Sequence, residues 1–319
     1  MANNSQRRDN DSMAVRAAWL HHAGGFTQAE VAKRLGLTSL KAHRLITSAN
    51  KQGLVKVYID GDVTECVELE NTLSQQFSLD YCEVVPDFDE QAIPLRALGI
   101  AGGHYLKRML DTDDVKLIGV GHGRTLAACV EQLPRTVSKT TSFVSLLGGF
   151  SQRFSANPHD VIHLLAQRTS APAYVMPVPF FANTVKDRKV LLKQRGLTEV
   201  MRLARNTSLN LAGIGSIEED ASLVATGMLE ISEMELVLKA GGVGELLGHF
   251  FDDHGKAVNT NLSDRTMGLT RGELKNSRIV AIAGGNQKVR AIGSVLASRL
   301  LSGLIIDERT ARALVEITE

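Results

Sequence analysis

An α/β fold with a helix-turn-helix near its start is what this 319-residue sequence predicts. Three observations carry the prediction. From Tyr81 onward, short apolar runs alternate with stretches of helical spacing, and several of the runs end in glycine, the pattern of a mostly parallel sheet with helices on both faces. Ahead of them, residues 26–59 read FTQAEVAKRLGLTSLKAHRLITSANKQGLVKVYI, two helical segments joined by Gly-Leu-Thr and followed by an alternating run. The charge is also divided. Residues 1–60 hold nine Lys and Arg against four Asp and Glu, a net of +5, so a chain of +1 leaves −4 for residues 61–319. A basic head on an acidic body is the distribution that a DNA-binding head requires.

The elements follow in order. Met13–His22 forms a first helix with Val15, Ala18 and Trp19 on its packing face, after a polar start, MANNSQRRDNDS, that reads as disordered. Thr27 caps the next helix, and Glu30 completes a capping-box spacing. Gly36 ends that helix, Leu37 enters the small core and Thr38 caps the following one. On that third helix Ala42, Leu45, Ile46 and Ala49 form the buried stripe. Leu40, Arg44, Thr47 and Lys51 lie opposite it, flanked by Ser39, Lys41, His43 and Ser48. Such a polar face suits the major groove, so Thr27, Gln28, Thr38, Ser39, Leu40, Lys41, His43, Arg44 and Thr47 are the candidate DNA contacts. LVKVYI then alternates as a strand, and IDGD at 59–62 is a turn. The domain division falls at residues 1–60 and 61–319.

In the body, Glu65–Phe77 is a helix with Leu69, Leu73 and Phe77 in register, placed to pair with a symmetry mate. Strands are expected at 81–85, 115–120, 142–147, 173–178, 209–215, 249–252, 278–285 and 303–307. Helices are expected at 93–110, up to Gln132, at 158–169, 185–192, 197–205 and 286–301, and at the end of the chain.

Composition is that of a globular protein whose core needs no staples. Cys66, Cys82 and Cys129 are scattered without a CxxC, which argues against a disulfide framework and a thiolate metal site. The start of the chain does not read as a signal peptide, and no apolar run spans a bilayer, so a cytoplasmic protein that does not engage membranes is expected.

The chemistry concentrates at the glycine-ended strands: GVGHGRT (119–125), LLGG (146–149), GIGS (213–216) and AGG (283–285). Ligands of open parallel sheets bind outside the carboxyl ends of the strands, where glycine lets the backbone approach and a following helix offers free N–H groups. Thr125 adds a hydroxyl. The dinucleotide fingerprint is incomplete, because Leu126 stands where its third glycine belongs. Lys288 sits in the first turn of a helix, against the helix dipole, and needs a reason such as a polyhydroxy ligand or a carboxylate. Glu245 and Asp252 are acceptors for sugar hydroxyls, although Asp252 also suits a turn cap. HDVIH at 159–163 has Asp where the zinc motif has Glu and lacks a third ligand, so neither a metal nor another cofactor is expected. GxSxG and Walker loops are missing, as is any Cys/His spacing for a nucleophile.

The head motif TQxxVAxRLGLT…KxxRL…GLVKV, the GxGxT turn, LLGG and AGGNQKVRAI, in that order, resemble the SorC family of bacterial sugar-responsive transcription regulators over nearly the whole chain. KAHRLI, IDGDVTEC and LDYCEVVPD are similar to the branch of that family that regulates erythritol catabolism. The resemblance implies a winged-helix-like head and a Rossmann-like, phosphosugar-isomerase-like body that senses an effector without catalysis. It implies a homodimer or homotetramer that binds double-stranded operator DNA. Effector contacts carry over to Gly121, Gly123 and Thr125, to Glu245 and to Lys288, with Arg124, Gly148, Gly149 and Asp252 as neighbouring candidates. The chain departs from the family at Thr38-Ser39 and His43, so its base preference should differ. The LLGG turn also lacks the basic residue that suits a sugar phosphate, which favours a neutral polyol, although Arg153 is near in sequence.

The sequence therefore points to a transcription regulator, a repressor of a carbohydrate or polyol catabolic operon. A sugar-phosphate isomerase with an accessory head is the first rival, and it lacks an evident acid/base pair. A protein-binding adaptor is the second, and the +5 head speaks against it.

Overall fold

The structure is a computed structural model and describes residues 2–55, 64–90, 92–112, 114–138, 140–149, 160–218 and 222–317, with backbone alone at 2–11, 64 and 222. It divides into two compact units, Met1–Gly61 and Asp62–Glu319.

In the first unit, helices α1 (Ala2–His22), α2 (Gln28–Leu35) and α3 (Ser39–Lys51) enclose a core of Ala14, Ala17, Ala18, Val31, Ala32, Ala42, Leu45, Ile46 and Ala49. The capping box forms: Thr27 Oγ1 accepts from Glu30 N, and Glu30 Oε2 accepts from Thr27 N at 2.8 Å. Gly36 takes the left-handed C-cap at φ +65°, and Thr38 accepts from Lys41 N. The Arg34 guanidinium lies 3.8 Å from the Phe26 ring centroid and fixes the entry to α2.

Two expectations are corrected here. The polar start is not disordered, because α1 runs back to Ala2. Val15 and Trp19 do not pack inside, being 51% and 64% exposed. Alanines at 14, 17 and 18 form the contact instead, and their small side chains let α1 approach α3 closely. Of the expected strand at 54–59, only Leu54 and Val55 are described and neither is in a strand; the IDGD turn lies outside the described residues.

The second unit opens with α4 (Thr64–Phe77), β1 (Tyr81–Val85), α5 (Leu95–Asp111), β2 (Leu117–Val120), α6 (Arg124–Gln132) and β3 (Ser142–Ser145). It continues through α7 (Val161–Thr169), β4 (Ala173–Tyr174), α8 (Val185–Leu192), α9 (Arg195–Arg205), β5 (Leu209–Ala212) and β6 (Gly215–Ser216). Then come α10 (Ser222–Ala225), α11 (Ile231–Lys239), β7 (Gly244–Leu246), β8 (His249–Phe251), β9 (Ala257–Val258) and α12 (Arg271–Lys275). Strand β10 (Ile279–Ile282), helix α13 (Val289–Ala297), β11 (Gly303–Asp307) and α14 (Glu308–Glu316) complete it.

The main sheet is parallel throughout, in the order β1-β11-β10-β5-β2-β3-β4. From β2 the chain builds outward through β3 and β4, then returns to lay β5 on the other side of β2. The order therefore reverses between β2 and β5, and that switch point opens a crevice at their carboxyl ends. Both faces are covered, so the strands are apolar on both sides: Val280, Ile282 and Ile305 enter one core, and Ile279, Ala281, Leu304 and Ile306 the other. Leu73 and Phe77 of α4 are buried in the second core, with Leu69 packed against it.

The antiparallel sheet β6-β7-β8-β9 was not expected as a whole; only β8 was legible. Leu247 and Gly248, at φ +50° and +80°, form the tight turn between β7 and β8. The expected strand at 209–215 is two, β5 and β6, which belong to different sheets. The expected helix at 286–301 starts as a 3-10 turn over Asn286–Lys288 and ends at Ala297.

Candidate functional site

In the head, Ser39, Leu40, Lys41, His43 and Arg44 are exposed on α3, and Thr47 is half-buried beside them. Gln28 projects from the start of α2, and its Oε1 lies 3.1 Å from His43 Nδ1, so the first turn of α2 is tied to the outer face of α3. Thr27 and Thr38 are exposed N-caps, their hydroxyls directed at their own helices.

In the body, a cavity of about 830 Å³, open solvent at its mouth included, lies at the switch point. Its wall is assembled from three strand ends and the small sheet. After β2, Gly121 donates its N–H to Leu211 O at 2.9 Å, which joins the turn to β5. Gly123 then takes φ +123° and ψ 165°, a region essentially open to glycine alone, so the chain swings straight into α6. No side chain caps that helix among the described residues, so its first amides have no side-chain partner. Arg124 is exposed and Thr125 is buried, and both line the cavity.

After β5, Gly213, Ile214, Gly215 and Ser216 form the floor. After β10, Gly285 at φ +103° donates its N–H to Asp307 Oδ1 (3.1 Å) and Thr310 Oγ1 (2.8 Å). The buried start of α14 thus fixes the turn from which Lys288 extends. Lys288 Nζ donates to Ile214 O at 2.7 Å, which lays the ammonium across the strand ends. Burial, and to a lesser degree Arg124, pulls its pKa down from 10.5 to about 8, against the opposing pull of Glu245 and Glu218.

Glu245 of β7 pairs with Gly215, where a Cβ would come within 2.6 Å of its Oε2; the glycine makes room for the carboxylate. Its Oε1 accepts from Gly248 N at 2.5 Å. Burial raises the Glu245 pKa from 4.5 to about 7, although Gly248 N–H and Lys288 favour the charged form. A cation, a titrating carboxyl, a hydroxyl and the start of α6 thus face one cavity beside an apolar wall of Ile93, Leu147, Phe180 and Leu247, a set of groups that can both donate and accept hydrogen bonds. Among the described residues, no cluster of acidic, His or Cys side chains could hold a metal.

The structure thus brings Gly123, Arg124, Thr125, Glu245 and Lys288 to one cavity. Four other candidates stand outside its lining. Asp252 holds the β8–β9 turn, its Oδ1 accepting from His254 N at 3.0 Å and Lys256 N at 2.9 Å. Gly121 lies behind the wall, where a Cβ would meet Leu247. Gly148 packs so closely on the 178–179 backbone that a Cβ would come within 2.1 Å of Pro179 O, and Gly149 supports the His122 ring. His122, Phe180, Ser216, Thr226 and Met228 were not singled out by sequence reasoning. Only the ends of β2 and β5 carried a signal, their glycines. His163 is 64% exposed and bonded to Asp160, while His159, Phe150 and Arg153 lie outside the described residues.

Residues 61–316 match the family of sugar-binding domains. The chain is 54% identical to the erythritol catabolism regulatory protein EryD of Brucella abortus over 96% of each chain. It is 29% identical to the transcriptional regulator LsrR of an Enterobacter species, over 96% of this chain and 94% of that one. Among solved structures, the full-length sorbitol operon regulator SorC of Klebsiella pneumoniae superposes with a TM-score of 0.70 at 26% identity, covering 96% of this chain and 99% of that one.

Proposed function

The chain belongs to the SorC-like family of transcriptional regulators with sugar-binding domains, and from that premise we propose a repressor of a polyol catabolic operon whose operator affinity is set by a small polyol in the switch-point cavity. The observation that carries this reading is the convergence of Lys288, Glu245, Thr125 and the uncapped start of α6 on one cavity. Such a set both donates to and accepts from hydroxyls. The buried Glu245 disfavours a multiply charged phosphate, and the relative in Brucella abortus is named for erythritol catabolism, so erythritol or a polyol of its size is the proposed effector.

On the DNA side, the proposed contacts are the exposed polar residues of α3, with Arg44 central, and Gln28. The proposed working form is a cytoplasmic homodimer or homotetramer, because a head of net +5 binds weakly alone. Where the two-part division is concerned, the head of about 60 residues is assigned to DNA and the rest to effector binding and assembly.

The test combines a thermal-shift screen of polyols, sugars and their phosphates with a gel shift on the promoter region beside the gene. A native-state ligand raises the melting temperature by mass action. The best ligand should also release the DNA. Turnover of any sugar phosphate in the screen would overturn the reading in favour of an enzyme.

A further inference from the structure

His122 is the cavity residue that the glycine motif around it leaves without a task. It stands between Gly121 and Gly123 at the end of β2. Its ring is wedged between two neighbours. A Cβ at position 149 would come within 2.9 Å of it, so only glycine there leaves it room, and the Phe180 ring lies 6.4 Å away, centroid to centroid.

The hydrogen bonds fix the tautomer. Nε2 lies 3.2 Å from Gly148 O, which can only accept, so Nε2 carries the proton and donates. Burial favours the neutral ring, lowering its pKa against the opposing pull of Asp160 and of backbone hydrogen bonding to Gly148 and Leu147. Nδ1 is then a bare acceptor. It is buried and has no hydrogen-bond partner among the described residues. A buried acceptor left unpaired costs stability, so its presence on a ligand cavity wants a donor.

We propose that His122 Nδ1 accepts a hydrogen bond from an effector hydroxyl and is the specificity-determining residue that selects an unphosphorylated polyol over its phosphate ester. The proposal rests on the reading of the cavity as a polyol site. A hydroxyl presents a proton to the lone pair. The ester keeps its other hydroxyls, so the discrimination acts where the esterified position is the one that faces the ring: an ionised phosphate presents only oxygens there, and an oxyanion facing that lone pair is repelled. A site built to pair with a hydroxyl rejects an analogue lacking the donor, because its own group is then stranded.

Two substitutions separate the ring's nitrogens. The amide of His122→Gln falls near Nε2, keeping a donor for Gly148 O and losing the Nδ1 acceptor. The amide of His122→Asn falls near Nδ1 and keeps an acceptor there. Calorimetric titration of the full chain with erythritol and with erythritol 4-phosphate gives the ratio of the two dissociation constants for each protein, and circular dichroism with a cooperative thermal melt of the ligand-free chain verifies the fold of each variant. Wild type should prefer erythritol. His122→Gln should lose about tenfold or more in erythritol affinity while its phosphate affinity holds or improves, and His122→Asn should retain most of the preference. An unchanged ratio in His122→Gln, or a wild-type preference for the phosphate ester, overturns the proposal while leaving the cavity an effector site. A wild-type protein that binds neither probe, and no other polyol or sugar, overturns the effector reading itself.

Discussion

Lys288 spans the strand ends to reach Ile214 O, and its ammonium stays within reach of whatever fills the cavity. Lys288→Ala should therefore keep fold and operator binding but lose about ten- to a hundredfold in effector affinity, the equivalent of roughly 1.5–3 kcal/mol for a charge-assisted bond. Titration beside wild type checks this, and equal affinities would make Lys288 a structural residue only. Arg44 is exposed on the outer face of α3. Arg44→Ala should relax operator specificity, since a bidentate arginine–guanine pair discriminates by about 1–3 kcal/mol. Footprinting decides it, with effector binding as the control that should not move. Glu245 adds a pH dependence. Its pKa is raised from 4.5 to about 7 in the fold, so the native state binds its proton more tightly than the unfolded chain does. The stability it contributes is present in full below about pH 4.5 and is lost as pH rises through about 7. Glu245→Gln should remove that slope, and melting temperatures of both proteins across the window will show whether it does. Single residues were partly legible. Lys288 stood out because a lysine opposing a helix dipole needs a reason. Asp252 satisfied the same composition rule as Glu245, yet directly after β8 it serves a turn, and only the fold separates the two.

At the scale of elements, the glycine turns after β2 and β10 were visible because each needs backbone angles that other residues resist: φ +123° at Gly123 and φ +103° at Gly285. What anchors the second turn was not visible. Asp307 caps α14, accepting from Thr310 N at 3.0 Å, and also accepts from Gly285 N across the sheet. Asp307→Ala should lower the stability of the body by about 1–3 kcal/mol, because a cap and a buried amide both lose their partner. It should also weaken effector binding by loosening the turn that carries Lys288. Urea unfolding paired with titration tests both; a destabilised protein with unchanged affinity would free the turn from this dependence. In the head, helical spacing found the Met13–His22 part of α1 but missed its start at Ala2 and chose the wrong stripe. Val15, Ala18, Trp19 and Ala14, Ala17, Ala18 overlap on one helix, and periodicity cannot say which meets the partner. The closeness of α3, whose buried face carries Ala42 and Ala49, selected the alanines.

For the whole molecule, the two compact units meet in sequence at Gly61–Asp62, and the body has its own two cores on either side of the parallel sheet. A chain beginning at Asp62 should fold and bind effector with near-wild-type affinity while losing all operator binding. An unfolded truncation, or a folded one that no longer binds the ligand of the intact protein, would defeat the assignment of effector recognition to the body alone.

By itself, the sequence determined the fold class, the helix-turn-helix with its caps, the divided charge and the glycine-ended strands, because each depends on local backbone preference, on periodicity or on simple composition. The tertiary structure decided the rest. Strand order placed the ends of β2 and β5 side by side, and hairpin pairing, set between residues distant along the chain, brought Glu245 onto Gly215 and toward Lys288. His122 became a distinctive group only when Gly149, Gly148 O and Phe180 closed around its ring. Burial and pairing between remote residues leave no local pattern, so they are read only once the chain has folded.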